Sequence, residues 1–466
     1  MFSASQVCHH WRSALTSSPS LWTQISCRHV LRTIVSLEWA KYIPIRLKVN
    51  PQSSVVALKN VLHHGNKITS LAVNRYADPM PLLRQIFIHS RLSVERLHMH
   101  TDKWRAEEPA AREIWQDLPS LRELFVCRYS IPIDHLVAPN LVHLALEQGG
   151  YDPTIKSTLD MLRGCPLLET LLVARSKGYM DQNRGHSPVS LPHLRVIELG
   201  VSEVHSWLII HLRFPPNVAA GFRGLFPRSI CGQITPSVMA TMQHVLRGVD
   251  IRRITLAAPP SFPRHRYLVR FEGTGGSLEI TIFCADSAYH RDILFGQRGV
   301  LFSHSPSLES ARELHIIGCL FYDHRGLDHI SAAMPNLVSI SFFNCSGRYM
   351  FGSLLIPIPI DPLPPPLPYL ESIMVLGQEK GLTEMAKARK DFEVPLKTVV
   401  IGRGPEELEY EHLEDYSALE ELVDDLRIGC PTEIVEWGEE NEILNIWSTS
   451  DAPGPVSPNT NLVVPG

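Results

Sequence analysis

Cys8, His9, His10, Cys27 and His29 place five metal-capable side chains in the first 30 residues. Zinc sites of this type need ligand pairs such as C-x2–4-C or H-x3–5-H, because both ligands must reach one ion. Cys8 and His9 are adjacent and would diverge on a helix, and no second pair of that spacing follows, so no metal site is expected. Gly273–Ser277, GTGGS, has the glycine content of a phosphate cradle. Such a cradle opens a helix whose N–H groups face the anion, whereas LEITIF after this glycine run reads as a strand. A tight turn between strands is the expectation. Arg264–Arg270, RHRYLVR, is a basic-aromatic patch, but a nucleic-acid footprint needs a larger stripe, and a loop beside a strand is expected. H-E-x-x-H, G-x-S-x-G and G-x-x-x-x-G-K-[ST] do not occur. The chain therefore reads as a non-enzyme, with no catalytic residues, cofactor or metal.

The elements around these residues repeat. The pattern apolar, two residues, apolar, one residue, apolar begins at Ile68, Val94, Leu121, Leu141, Leu168 and Leu194. Successive starts are 26, 27, 20, 27 and 26 residues apart. It reappears at Ile251 and, more weakly, at Leu278, then at Ala311, Leu337, Leu370 and Leu396, the last four spaced by 26, 33 and 26. The final two apolar residues of each copy would share one face of a strand. One such unit cannot close its own core, so copies must stack. Several copies share a lead-in, as in LPSLREL, APNLVHL, CPLLETL, LPHLRVI, MPNLVSI and LPYLESI. Proline ends the returning segment there and favours extended chain. The spacing is that of leucine-rich repeats, and predicts an α/β solenoid with a curved parallel sheet, helices and irregular returns. Helices are expected over SVVALKNVLHHGNK and TLDMLRGC, with a polar loop over 176–190.

The pattern is worn between 203 and 249. Helices are expected at Glu203–Arg213 and Ser237–Arg247, with a strand at Val218–Phe222. Residues 356–368, IPIPIDPLPPPLP, read as an extended loop between repeats, with an SH3-type ligand as the alternative. Between Pro405 and Glu442 there are 15 acidic residues and one basic residue. That stretch reads as a solvated helix face, with binding of a basic partner as the alternative. A helix with Leu413, Tyr416, Leu419, Leu422, Val423 and Leu426 on one face, then a strand near Ile434–Trp437, would cap the solenoid over 405–447. Residues 448–466 read as a disordered tail. Formal net charge is −4, so no general attraction to nucleic acid or membrane is expected. Nine scattered cysteines without a C-x-x-C pair point to a reducing compartment. With no h-region and no long apolar run, a soluble cytoplasmic or nuclear protein is expected.

The first residues follow another pattern. Val7, Trp11 and Leu15 have helical spacing, Thr16–Pro19 breaks that helix, and Leu21, Trp22 and Ile25 form a second cluster. Two tryptophans in so short an amphipathic stretch could anchor a partner or cover the first repeat, and their types allow both. SQVCHHWRSALTSSPSLWTQI, residues 5–25, resembles the C-terminal half of an F-box, whose fungal members read V-C-[RH]-x-W-R, a break, and P-x-L-W-x-x-I. The matching positions are Val7, Cys8, Trp11, Arg12, Leu15, Pro19, Leu21, Trp22 and Ile25. WAKYIPIRLKV resembles the segment that joins an F-box to its repeats. The resemblance implies a short all-α partial F-box over 1–28, followed by the solenoid over 29–447. It also implies binding of the Skp-type adaptor of a cullin–RING ubiquitin ligase through Val7, Trp11, Leu15, Pro19, Leu21, Trp22 and Ile25, while the repeats bind an unknown target protein. The L-P-x-E-[IL] segment of a first F-box helix is not in this sequence, so a reduced interface and weak adaptor binding are expected. A free-standing repeat scaffold is the alternative.

Overall fold

In a computed structural model, the described residues are 8–63, 68–74, 84–87, 93–100, 115, 118–127, 136–147, 154–174, 186–200, 208–215, 217–225, 244–246, 249–257, 265–274, 276–284, 308–318, 332–345, 351, 367–377, 381–402 and 416–429. The chain forms two compact units, Met1–Ala311 and Arg312–Gly466. Both are α/β, and most strand pairs within each are parallel.

The first unit opens with helix α1 (His9–Thr16), where the Cys8 sulfur accepts a hydrogen bond from the Trp11 N–H. That bond satisfies one of the donors left open at a helix start. A 3-10 turn follows at Pro19–Trp22, then a short strand β1 (Gln24–Ser26) and helix α2 (Val30–Ala40). The all-α expectation for residues 1–28 is corrected here, because β1 pairs in parallel with β2 (Ile45–Val49). Ile25 sits opposite Leu47, and both are buried, so this stretch supplies the first strand of the sheet. Helix α3 (Val55–Leu62) starts on the Ser54 hydroxyl, which accepts from the Ala57 N–H.

Parallel pairing then runs strand by strand through β3 (Ile68–Asn74), β4 (Arg96–His100), β5 (Glu123–Cys127), β6 (His143–Glu147) and β7 (Thr170–Ala174). Leu71, Leu97, Leu124, Leu144 and Leu171 are register partners in sequence, and every one is buried. Helix α4 (Ile155–Arg163) returns the chain to β7, with Thr154 capping its start by accepting from the Ser157 N–H.

The proline lead-in proves to be a turn with a repeated hydrogen bond. Leu121, Leu141, Leu168 and Leu194 each donate their N–H to the carbonyl three residues back, on Leu118, Ala138, Cys165 and Leu191. Proline suits the second position of such a turn, where its fixed φ costs nothing. The residue before each proline is buried along with the three apolar positions of the strand pattern, except that Leu146 on β6 is only half-buried. The unit thus contributes four core residues, one more than the periodicity alone indicates.

Strand β8 (Val189–Ser190) pairs with β10 (Leu212–Arg213), off the main sheet. The polar loop expected to reach Ser190 and the helix expected to reach Arg213 therefore both end as strand. β9 (Val196–Gly200) continues the main sheet to β11 (Ala219–Leu225), which agrees with the strand expected at 218–222. Most of the helix expected at Ser237–Arg247 lies outside the described residues.

Beyond β11 the order inverts. β12 (Asp250–Ala257), β13 (His265–Thr274) and β14 (Gly276–Cys284) form an antiparallel meander. The strand beside β11 is β14, with Ala220 opposite Leu278. Reading Ile251 and Leu278 as successive parallel repeats is corrected by this pairing. The basic-aromatic stretch from His265 to Arg270 is strand β13 rather than a loop. Gly273 and Gly276 are register partners at its tight turn, as expected from GTGGS.

The second unit repeats the scheme. β15 (Glu313–Ile317), β16 (Ser339–Cys345), β17 (Ser372–Gly377), β18 (Thr398–Gly402) and β19 (Asp425–Gly429) pair in parallel and in chain order. Leu337 and Leu370 repeat the proline-turn bond, to Met334 and Leu367. Helix α5 (Leu382–Asp391) precedes β18, and α6 (Ser417–Glu420) precedes β19. The helix expected over Leu413–Leu426 is corrected: Leu426 belongs to β19, opposite Val399. The proline-rich insert up to residue 366 and the expected strand near Ile434–Trp437 lie outside the described residues, as does the 448–466 tail. Among the described residues no helix is long and apolar enough to cross a membrane.

Candidate functional site

The residues singled out at the N-terminus separate into two sets. Trp22 is buried, its ring edge-on to Trp39 at 4.3 Å, and its indole N–H donates to the Leu15 carbonyl at 2.8 Å. Leu15 and Ile25 are buried beside it in the sequence pattern. These three are core residues, their apolar surface covered by their own chain. Trp11 is 55% exposed and Leu21 is 41% exposed. Pro19 is half-buried at the start of the 3-10 turn. Val7 lies outside the described residues. Leu31 on α2 and Tyr42 after it are also exposed, and neither was singled out from the sequence.

Cys27 is buried, and loss of solvation pushes its thiol up to about 12, so it is a poor thiolate and a poor metal ligand. Cys8 is exposed and its sulfur serves the start of α1. Among the described residues no three His, Cys, Asp or Glu side chains come together in a way that could hold a metal.

A second surface comes from the strands themselves. On β2 the burial alternates, with Ile45, Leu47 and Val49 inside and Arg46 and Lys48 outside. Register carries this alternation sideways, past a one-residue shift between β2 and β3 at Ile45/Arg46. Arg46, Ser70, Arg96, Glu123, His143 and Thr170 form one outward row. Lys48, Ala72, His98, Phe125, Ala145 and Leu172 form the next. Neither row was named from the sequence, although each residue of the first precedes, and each of the second follows, an apolar strand position by one, which is the signal that could have found them.

Charges on this face are partly matched. His98 Nε2 lies 2.7 Å from Glu123 Oε1, and His143 Nδ1 lies 3.1 Å from the Thr170 hydroxyl. The hydrogen bond from His98 holds the Glu123 carboxyl below its ordinary range, aided by the charges of His98, Arg96 and His143 and opposed by partial burial. Farther along, Arg270 bonds Glu279 at 2.9 Å and stands 3.6 Å from Glu272, which in turn faces Arg253 at 3.7 Å. That ladder ties the three strands of the meander together across their outward face.

Among the described residues, the outward strand rows and the exposed Trp11 and Leu21 offer surfaces for docking. No protein-family model matches this chain, and no characterised protein proves significantly similar to it.

Proposed function

We propose that this chain is a non-enzymatic protein-binding protein whose strands and turns are leucine-rich repeats. The observation that carries this reading is the constant register of short parallel strands. It fixes one set of apolar residues inside and leaves rows of unlike side chains, polar and apolar, on the outward face. A surface of that kind discriminates partners through side-chain variety on a rigid support.

We further propose that the protein serves as the substrate-recognition subunit of a Skp–cullin–F-box type ubiquitin ligase, acting in the cytoplasm or nucleus. The F-box resemblance of residues 5–25 supports it, as does the exposure of Trp11 and Leu21 on adjoining elements. The test is co-purification of the whole chain with the Skp-type adaptor. Trp11→Ala should raise the dissociation constant by an amount equivalent to about 2 kcal/mol, the usual scale for an exposed tryptophan anchor. No adaptor binding by the unaltered chain would remove the ligase role. A free-standing repeat scaffold is the second reading. It is favoured by the burial of Leu15, Trp22 and Ile25, which shows that much of the F-box-like stretch is used in packing.

A further inference from the structure

Strand β3 carries small outward residues between two basic neighbours. Ser70 lies between Arg46 and Arg96 in register, and Ala72 lies between Lys48 and His98. The flanking strands are two inter-strand spacings apart, about 9–10 Å. The result is a lane with a floor of Ser70, Ala72 and Asn74, flanked on one side by the cations Arg46 and Lys48 and on the other by Arg96 and by His98, which is bonded to Glu123. Arg46 and Lys48 are exposed, and neither has an ion-pair partner among the described residues. The Nε of Arg96 is buried and has no hydrogen-bond partner among the described residues. An unpaired buried donor carries a desolvation cost that an incoming acceptor would relieve. Glu123, the acid in the same row, is taken by His98.

The spacing of the walls defines the occupant further. Arg46 and Lys48 are two residues apart on one strand, as are Arg96 and His98 on the other. Along an extended chain that interval is about 6.5–7 Å, the repeat at which side chains return to the same side. We propose that the lane over β3 binds an extended segment of the target protein bearing carboxylates at alternate positions. This rests on the reading of the outward sheet face as the target-binding face, and is independent of whether the N-terminal surface binds an adaptor. The lane has the charge complementary to such a segment and a floor low enough to admit its backbone.

The test is fluorescence anisotropy of the whole chain, without adaptor, using a labelled twelve-residue peptide of alternating Glu and Ser. Arg46→Glu with Lys48→Glu should weaken binding by about tenfold or more, and Ala72→Trp, which fills the floor without changing charge, should do likewise. Lys59→Glu, on exposed α3, controls for net charge and should leave binding within about twofold. Lys48→Ala replaces the double reversal if circular dichroism shows that the latter is unfolded. A peptide of the same composition with its Glu residues in one block should bind more weakly. The proposal is overturned if the unaltered chain does not bind the alternating peptide at physiological salt. Equal losses in the Lys59 variant, unchanged binding in the Arg46/Lys48 variant, or equal affinity for the block peptide would overturn it as well. Because no adaptor is present, these outcomes are separate from failure of the ligase reading.

Discussion

Trp11 and Trp22 show how one residue type takes opposite roles. Trp22 is 2% exposed and spends its N–H on a backbone carbonyl inside the fold. Trp22→Ala should therefore lower stability by about 3–5 kcal/mol, the range for a large core aromatic. Trp11→Ala should leave the thermal midpoint nearly unchanged and act on partner binding alone, so the pair separates anchoring from packing in one melting experiment. Arg389 is a second case. It is 1% exposed, and its Nη2 donates to the Leu367 and Leu370 carbonyls at 3.1 and 3.0 Å. Leu367 has a φ of 55°, left-handed backbone that costs energy for a residue with a Cβ. The guanidinium holds that turn in place, and although burial lowers it to about 10 it stays charged at neutral pH. Arg389→Met should destabilise the second unit by about 1.5–3 kcal/mol through the lost charged hydrogen bonds, measured by urea unfolding. Glu123 adds a pH dependence. Its folded carboxyl ionises below the usual 4.5, so the contribution of the His98 contact is complete above that value and is lost as pH falls through the lower folded one. The stability difference between the natural chain and Glu123→Gln should accordingly shrink on acidification; a constant difference down to strongly acid pH would contradict it.

At the scale of the element, the unit is a proline turn followed by five or so strand residues, and its stability comes from neighbours. Leu144 on β6 is fully buried, opposite Leu124 on one side and Leu171 on the other. Leu144→Ala should cost about 2–5 kcal/mol. Hydrogen exchange should rise most in β6, then in β5 and β7, because repeat stability is passed between nearest neighbours. The meander depends on a different feature. A Cβ on Gly273 would run into the Asp250 carbonyl across the β12–β13 pair, so Gly273→Ala should open that end of the hairpin. Within the apolar pattern, Ile251 and Leu278 resemble ordinary repeat strands. The pattern could not reveal the inverted order, since the alternation of a strand shows which face is covered and not which strand lies beside it.

For the whole molecule, strand order is the testable quantity. Register places Gly221 of β11 opposite Glu279 of β14 and opposite Glu198 of β9. Cysteines introduced at 221 and 279 should form a disulfide, because facing parallel residues fall within the Cα separation of about 4.4–6.8 Å that the bond requires. Cysteines at 221 and 255 should not, since Thr255 stands on β12, beyond both β14 and β13. Peptide mapping under non-reducing conditions distinguishes the two. A link between 221 and 255 would mean that β12 follows β11 directly, as simple repetition of the sequence pattern suggests.

The sequence by itself determined where most repeat strands lie, their buried face and the prolines that end the returning segments, because these follow from period-two alternation and a fixed φ, both local properties. Leu71, Leu97, Leu124, Leu144 and Leu171 could be assigned to the core from spacing alone, and each is there. Tertiary structure decided the rest. It placed Ile25 in the sheet instead of a helical domain, buried Trp22 while leaving Trp11 outside, and set β14 beside β11. It also assembled the basic lane from residues on β2 and β4 that lie some fifty positions apart in the chain. Each of these depends on which segments meet across long sequence separations. A hydrophobic pattern states that a residue must be covered, and only the folded chain supplies what covers it.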